Sequence, residues 1–274
     1  MRRFIIDESD LSKMSPLFQG RAGFLFGRFL LRILAIDRLN RLYSGLCHLS
    51  GIDFTSAWLH TIGVDYTVEN EAVLDDFVES PFITVSNHPL GALDGLIMVD
   101  FVARRRPDYK FMVNSILLNV GTMSDHFVGV KPVTPRSGST VENASGLKST
   151  LLHLKDGHPM GFFPAGAVSN FNDNFILLSD REWQPTVMRL IQAAKVPVIP
   201  VYIHGKNSWF FNLLGRINWQ LRSLRMPYEI LNKRNKTIRV TVGNPIMPEE
   251  QMRYSKTEEL ACFLKRRTYE LQKK

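Results

Sequence analysis

The spacing of apolar and polar positions changes character once along this chain, near Gly63. Up to that point the pattern reads as helix, with segments predicted through Leu17–Ile36, Ile36–Leu49 and Phe54–Ile62. Beyond it, short apolar runs alternate with helical stretches. The runs predict strands at Tyr66–Glu69, Phe82–Ser86, Lys110–Val113, His126–Val130, Met160–Phe163, Val198–Ile203 and Thr237–Val242. Between them, helices are predicted near Leu93–Ala103, Ile116–Ser124, Ser139–Leu154 and Trp183–Lys195, the third opening on the capping-box pair Ser139 and Glu142. Alternating strands and helices predict an α/β fold, a sheet covered on both faces and preceded by a helical N-terminal region. Lys256–Lys274 reads as one more amphipathic helix, whose Lys265, Arg266, Arg267, Lys273 and Lys274 form a solvated charged face. The chain thus divides into an N-terminal helical, membrane-interface region (1–63), an α/β domain (64–250) and a C-terminal basic helix (251–274).

Leu17–Ile36 is the most apolar stretch and matches the ~20 residues that span a bilayer. It carries Arg21, Arg28 and Arg32, however, and an arginine is costly at the bilayer centre, so no spanning helix is predicted. The three arginines stack along one helical face, with Phe26, Leu30, Ile33 and Leu34 opposite. Two readings fit: a helix lying in the interface of a membrane, or an amphipathic helix packed on its own domain. The N-terminus itself, Met1-Arg2-Arg3 followed by Asp7 and Glu8, lacks the apolar core of a signal peptide.

Composition narrows the field. With 45% hydrophobic residues among 274, the chain can bury a sizeable core and is no disordered tract. Its two cysteines, Cys47 and Cys262, have no metal-ligand spacing and fit a reducing compartment. A formal charge of +8 points to acidic partners: an anionic membrane, an acidic protein or nucleic acid. No nucleic-acid fingerprint accompanies the scattered basic residues, so no nucleic acid is expected.

The chemistry concentrates in Ser86-Asn87-His88-Pro89-Leu90-Gly91-Ala92-Leu93-Asp94-Gly95, which links a predicted strand to a predicted helix, where α/β proteins place ligands. Such a turn can fold the Asp94 carboxylate onto the His88 imidazole, giving a general base that works on a substrate hydroxyl without a protein nucleophile. The alternative is that His88 caps the turn and Asp94 caps the helix. No Gly-x-Ser-x-Gly elbow is present for a serine hydrolase, although a His–Asp pair can also activate water. No cluster of Asp, Glu and His suggests a metal.

Asn87, His88, the glycine-containing turn and Asp94 resemble the first signature block of the lysophospholipid (glycerolipid) acyltransferase superfamily. The usual spacing puts four residues between His and Asp. The five found here match a subgroup often called hemolysin-like, which includes enzymes that O-acylate lyso-glycine and lyso-ornithine lipids. His126-Phe127-Val128-Gly129-Val130-Lys131 resembles the second block, with Lys131 where phosphate-using relatives carry arginine. Phe163-Pro164-Ala165-Gly166-Ala167-Val168-Ser169 is similar to the third, Phe-Pro-Glu-Gly-Thr-Arg-Ser, and Val196–Val201 with Pro200 resembles the fourth. Gly205–Phe211, with Asn207 and Ser208, looks like a feature of the subgroup.

The resemblance spans roughly residues 36 to 248 and implies a mixed central sheet flanked by helices. It implies acyl transfer from an acyl-carrier-protein or coenzyme A thioester to a lysolipid hydroxyl, with no bound cofactor or metal. His88 would be the base and Asp94 its support. Asn87, Gly91, Phe163, Pro164, Ala165, Gly166, Ser169, Pro200, Asn207 and Ser208 would line the substrate site. Backbone N–H groups around the Pro164–Ala167 loop would meet the oxyanion, and Lys131 and Arg136 would meet a headgroup carboxylate or phosphate. With Ala165 and Val168 in place of the third-block glutamate and arginine, a carboxylate-bearing lyso-glycine-type acceptor is expected ahead of lysophosphatidate. The family nickname also suggests a non-enzymatic membrane-active protein. The localisation expected is peripheral, on the cytoplasmic face of the plasma (inner) membrane.

Overall fold

The structure, a computed structural model, describes residues 4–5, 7–130, 141–171, 178–217 and 219–273. Four helices lead: α1 (Glu8–Met14), α2 (Gly20–Ile33), α3 (Ile36–Leu46) and α4 (Gly51–Ile62). There follow β1 (Val64–Glu69), β2 (Ile83–Ser86), α5 (Ala92–Ala103), β3 (Lys110–Asn114), β4 (Phe127–Val130), α6 (Val141–Lys155) and β5 (Met160–Phe162). A small hairpin, β6 (Asn170–Phe171) and β7 (Leu178–Ser179), precedes α7 (Pro185–Ala194) and β8 (Val198–Ile203). The chain continues through α8 (Trp209–Ile217), α9 (Trp219–Leu231), β9 (Lys236–Val242), α10 (Pro248–Gln251) and α11 (Thr257–Glu270).

Seven strands form one mixed sheet in the order β1-β9-β8-β2-β5-β3-β4. All neighbours run parallel except β8 and β9. Central β2 is buried along its whole length, as a strand covered on both faces must be, its polar Thr84 and Ser86 included. Its side chains alternate: Ile83 and Val85 face Val187, Met188 and Ile191 of α7 and Leu260 and Leu264 of α11, while Phe82 faces the α4–α5 side with Trp58, Leu93, Ile97 and Phe101. In β5 a Cβ at Gly161 would overlap the Tyr109 hydroxyl and the Phe111 ring, so only glycine lets these aromatics cross the strand. Tyr43, Phe54, Trp58 and Leu59, from before residue 63, share one core cluster with the sheet.

Several elements depart from the sequence expectation. Ile116–Ser124, predicted as a helix, forms two 3₁₀ turns, Ser115–Asn119 and Gly121–His126. Ser139, the expected cap of α6, lies outside the described residues. Helices α8 and α9 and the β6–β7 hairpin were not anticipated. Gly215 and the internal Pro227 interrupt the helical pattern that would have announced the two helices.

Leu17–Ile36 is not continuous helix: a 3₁₀ turn at Pro16–Phe18 precedes α2, and Ala35 takes a left-handed conformation after it. Gly23, Gly27 and Leu31 are buried, with Gly23 against the Phe18 backbone and Gly27 against Leu11. Phe24, Leu25, Phe26, Phe29 and Ile33 are exposed, whereas Leu30 and Leu34, expected on the outward apolar face, are half-buried. No helix among the described residues is long and apolar enough to cross a membrane. Lys265 of α11, expected to be solvated, donates to the carbonyls of Asp180 and Arg181.

Candidate active site

Where β2 ends, Asn87 continues the sheet by side chain. Its Nδ2 donates to the Ile203 carbonyl at 3.0 Å and its Oδ1 accepts the Ile203 N–H at 2.7 Å, so the amide imitates one more step of β2–β8 pairing. That tie fixes the start of the turn carrying His88. Gly91 closes it at φ +77°, a conformation costly for other residues, and a Cβ there would crowd the Met226 side chain of α9. Asp94, in the first turn of α5, reaches back: its Oδ2 accepts the N–H groups of Leu90 at 2.8 Å and Gly91 at 2.9 Å and His88 Nδ1 at 2.9 Å.

An accepting carboxylate keeps the proton on Nδ1, which leaves the Nε2 lone pair available. Asp94 is fully buried and its Oδ1 has no partner among the described residues, whereas the His88 side chain keeps 16% of its surface exposed. Burial pushes the Asp94 carboxyl above its ordinary range, opposed by His88 and the two backbone donors. Phe163 stacks on the imidazole, ring centres 3.9 Å apart and 14° from parallel, and Phe111 packs behind Phe163 at 4.5 Å.

Two further bonds hold the histidine backbone. Its N–H donates to Asp180 Oδ1 at 3.3 Å, and its carbonyl accepts the Ser169 N–H at 2.8 Å. Asp180 is itself buried and gathers the Ser169 hydroxyl at 2.6 Å and Trp183 Nε1 at 3.2 Å, while its own N–H donates to the Tyr269 hydroxyl at 2.7 Å. Nothing in the local sequence around Asp180 marks it, because 92 residues separate it from His88.

The other residues singled out by sequence divide clearly. Phe163 and Gly91 meet the dyad, Ser169 bonds the His88 backbone, and Asn87 ties the start of the turn to Ile203. Pro164 and Ala165 are buried, with the Ala165 methyl group in the α7–α11 core rather than facing a substrate, because Arg181 and Gln184 hold this loop by its carbonyls. Gly166 is exposed and its N–H is engaged by the Phe163 carbonyl, closing the turn.

Pro200 lies inside the sheet on β8, opposite Val85, where its carbonyl accepts the Gly243 N–H; it presents no group to the dyad. Asn207 and Ser208 are likewise engaged in structure. Ser208 caps α8, accepting the Phe211 N–H and donating to Glu229, and Asn207 Oδ1 accepts from the buried Lys233 ammonium at 2.9 Å. Burial draws the Lys233 ammonium below its usual range, against the pull of Glu229. Lys131 and Arg136 lie outside the described residues.

The arrangement can act as a general base, with a fixed tautomer and an exposed edge, and among the described residues no side-chain nucleophile is bonded to the imidazole. Among the described residues no three His, Cys, Asp or Glu side chains gather as metal ligands.

Comparison with known proteins places the chain among acyltransferases. A family model described as acyltransferase matches residues 11–274. The chain is 30% identical over 239 residues to a lyso-glycine lipid O-acyltransferase of Bacteroides thetaiotaomicron, covering 84% of this chain and 83% of that one. It is 26% identical to a protein of the same name from Phocaeicola vulgatus, over 89% and 86% of the two chains. Among solved structures it superposes on the 1-acyl-sn-glycerophosphate (LPA) acyltransferase PlsC of Thermotoga maritima with a TM-score of 0.53 and 17% identity, over 91% and 88% of the chains.

Proposed function

Since the chain belongs to the acyltransferase family, we propose that it moves a fatty acyl chain from a thioester to the hydroxyl of a lysolipid, with a lyso-glycine lipid as acceptor. The observation that carries this reading is the 2.9 Å His88–Asp94 contact in a turn that leaves the imidazole edge open. His88 Nε2 removes the hydroxyl proton while that oxygen attacks the thioester carbonyl, and the carbonyl π pair moves onto its oxygen. Asp94 supports the imidazolium so formed. When the tetrahedral species collapses, the C–S bond breaks and the leaving thiolate takes the proton from His88. Ester and thiol are the products, with every proton returned.

The +8 charge suits an acidic acyl carrier protein as donor, with coenzyme A as the alternative thioester. It also suits an anionic membrane, with the peripheral enzyme on the cytoplasmic face and Phe26 and Ile33 of α2 inserted between lipids. Arg21, Arg28 and Arg32 would then face lipid phosphates, and replacing all three by glutamate should release the protein from anionic vesicles.

The direct test incubates purified protein with lyso-glycine lipid or lysophosphatidate and one acyl thioester, and measures products by mass spectrometry. Diacyl aminolipid is the expected product. Preference for lysophosphatidate would overturn the acceptor assignment, and release of free fatty acid regardless of acceptor would make the protein a thioesterase.

A further inference from the structure

The third-block segment 165–169 bears no charged side chain. The structure brings two guanidinium groups to this segment from elsewhere in the chain. Arg181 donates Nε to the Ala165 carbonyl at 2.7 Å and Nη2 to the Gly166 carbonyl at 3.3 Å. At the other end, Arg222 of α9 donates Nη1 to the Ser169 carbonyl at 3.4 Å.

Arg222 arrives by a built route. It passes over Gly215 of α8, where a Cβ would stand 2.7 Å from its Cδ, and its guanidinium lies 5.5 Å from the Phe211 ring centre. Among the described residues neither arginine is paired with a carboxylate. Asp180, which touches the same segment through Ser169, is taken up by His88, Ser169 and Trp183. Consistent with this, burial and the neighbouring Arg181 charge lower the Arg222 guanidinium from its ordinary range.

Two cations therefore share a carbonyl-lined segment whose Ser169 N–H is bonded to the catalytic histidine's carbonyl. We propose that Arg222, with Arg181 across the segment, binds a carboxylate or phosphate group of a substrate whose reacting atoms lie at His88. Arg222 thereby supplies from α9 the cation that the third block lacks. The proposal rests on the acyl-transfer reading and names the group that orients a substrate for it. A planar guanidinium holds either anion through two parallel N–H donors, which a lysine cannot do. The two sources of such an anion are the acceptor headgroup and the phosphates of the donor's carrier.

The test measures steady-state kinetics of wild type, Arg222→Met, Arg222→Lys and Arg181→Met on matched substrates. Acceptors are lyso-glycine lipid and its methyl ester; donors are the phosphate-bearing thioester that wild type uses and the same acyl group on N-acetylcysteamine. Arg222→Met should raise KM about ten- to a hundredfold for the substrate bearing the anion. It should leave KM for the neutral partner, and kcat at saturation, within about threefold. Arg222→Lys should fall between, and Arg181→Met should repeat the pattern more weakly.

Loss confined to the free acid places the acceptor headgroup at Arg222; loss confined to the phosphate-bearing donor places the donor there. Equal loss on all pairs, or none, overturns the proposal. Should Arg222→Met fail to fold, the Arg222→Lys to wild-type KM ratio, acid against ester, decides. Absence of wild-type turnover on lyso-glycine lipid would instead overturn the acceptor assignment. The same comparison then runs on lysophosphatidate against monoacylglycerol.

Discussion

Helix α5 carries two buried carboxylates, Asp94 and Asp100, at 0% and 2% exposure, and they are built for opposite ends. Six positions along an α-helix turn through about 240°, so Asp94 faces the catalytic turn while Asp100 faces α4 and β1. Asp100 is saturated. Its Oδ1 accepts the hydroxyls of Thr55 and Ser56, and its Oδ2 accepts from Tyr66 at 2.6 Å and Arg104 at 3.1 Å. Burial would raise it, but those donors outweigh burial and hold it below the ordinary carboxylate range, while the Tyr66 hydroxyl is pushed up.

Asp94 concentrates three donors on one oxygen and, among the described residues, leaves the other with none, and burial prevails. A carboxylate whose charge is already fully matched can only hold elements together. One whose charge is under-matched has stabilisation left to give when the neighbouring imidazole becomes positive.

The sharpest break of this comparison is His88→Ala, which removes the titrating partner. Acyl transfer should fall by at least about 10³-fold, within the reach of general-base catalysis, while circular dichroism and the thermal midpoint stay near wild type. Asp94→Asn comes next. The amide oxygen can still accept from Leu90 and Gly91, yet it cannot stabilise the imidazolium, so kcat should drop about 10²-fold with the fold retained.

Asp100→Ala should do the reverse. It orphans the Tyr66 hydroxyl, removes one of the two acceptors of the Thr55 hydroxyl and should cost about 2–4 kcal/mol in denaturant unfolding, with kcat of the folded fraction within about twofold of wild type. A variant of Asp100 that unfolds normally but loses turnover would erase the distinction.

The smallest effect lies in the pH dependence of stability, where the two carboxylates have opposite signs. Asp100, depressed in the folded state, contributes stability above the unfolded carboxylate value and loses it as pH falls through the folded value. Asp94, raised in the folded state, keeps its proton to higher pH than the unfolded chain. Its contribution therefore declines as pH rises from the ordinary carboxylate range to the raised value. Unfolding curves between about pH 3 and pH 7 should be flatter on the acid side for Asp100→Asn and should lose a declining component in Asp94→Asn.

What the sequence disclosed follows the range of the interactions. The His88–Asp94 pair spans six residues and one turn, so spacing allowed the contact but left helix and turn capping open until the resemblance to a signature block favoured it. The strands showed in their apolar runs. The order of those strands did not: β9 inserts between β1 and β8, pairing Val64 with Lys236, and no local pattern records that. Asp180 and Arg222 reach the site only through tertiary contacts. Pro200, Asn207 and Ser208 belong to signature-like blocks, yet the structure engages them in sheet pairing and helix capping, which a motif cannot distinguish from substrate contact. For α2, periodicity identified the arginine face but not the packing of Gly23 and Gly27 that turns Leu30 inward.

The clamp on Asp180 has a consequence for the order in which the molecule is made. The backbone N–H of His88 is held by a residue 92 positions later, and that residue is held in turn by Tyr269, a further 89 positions on. A chain emerging from the ribosome therefore carries His88 long before the group that anchors it has been synthesised. Contacts of such sequence separation close late, after the entropy of long loops has been overcome. The His88 turn is therefore anchored only once α11 has docked and placed Tyr269 against Asp180.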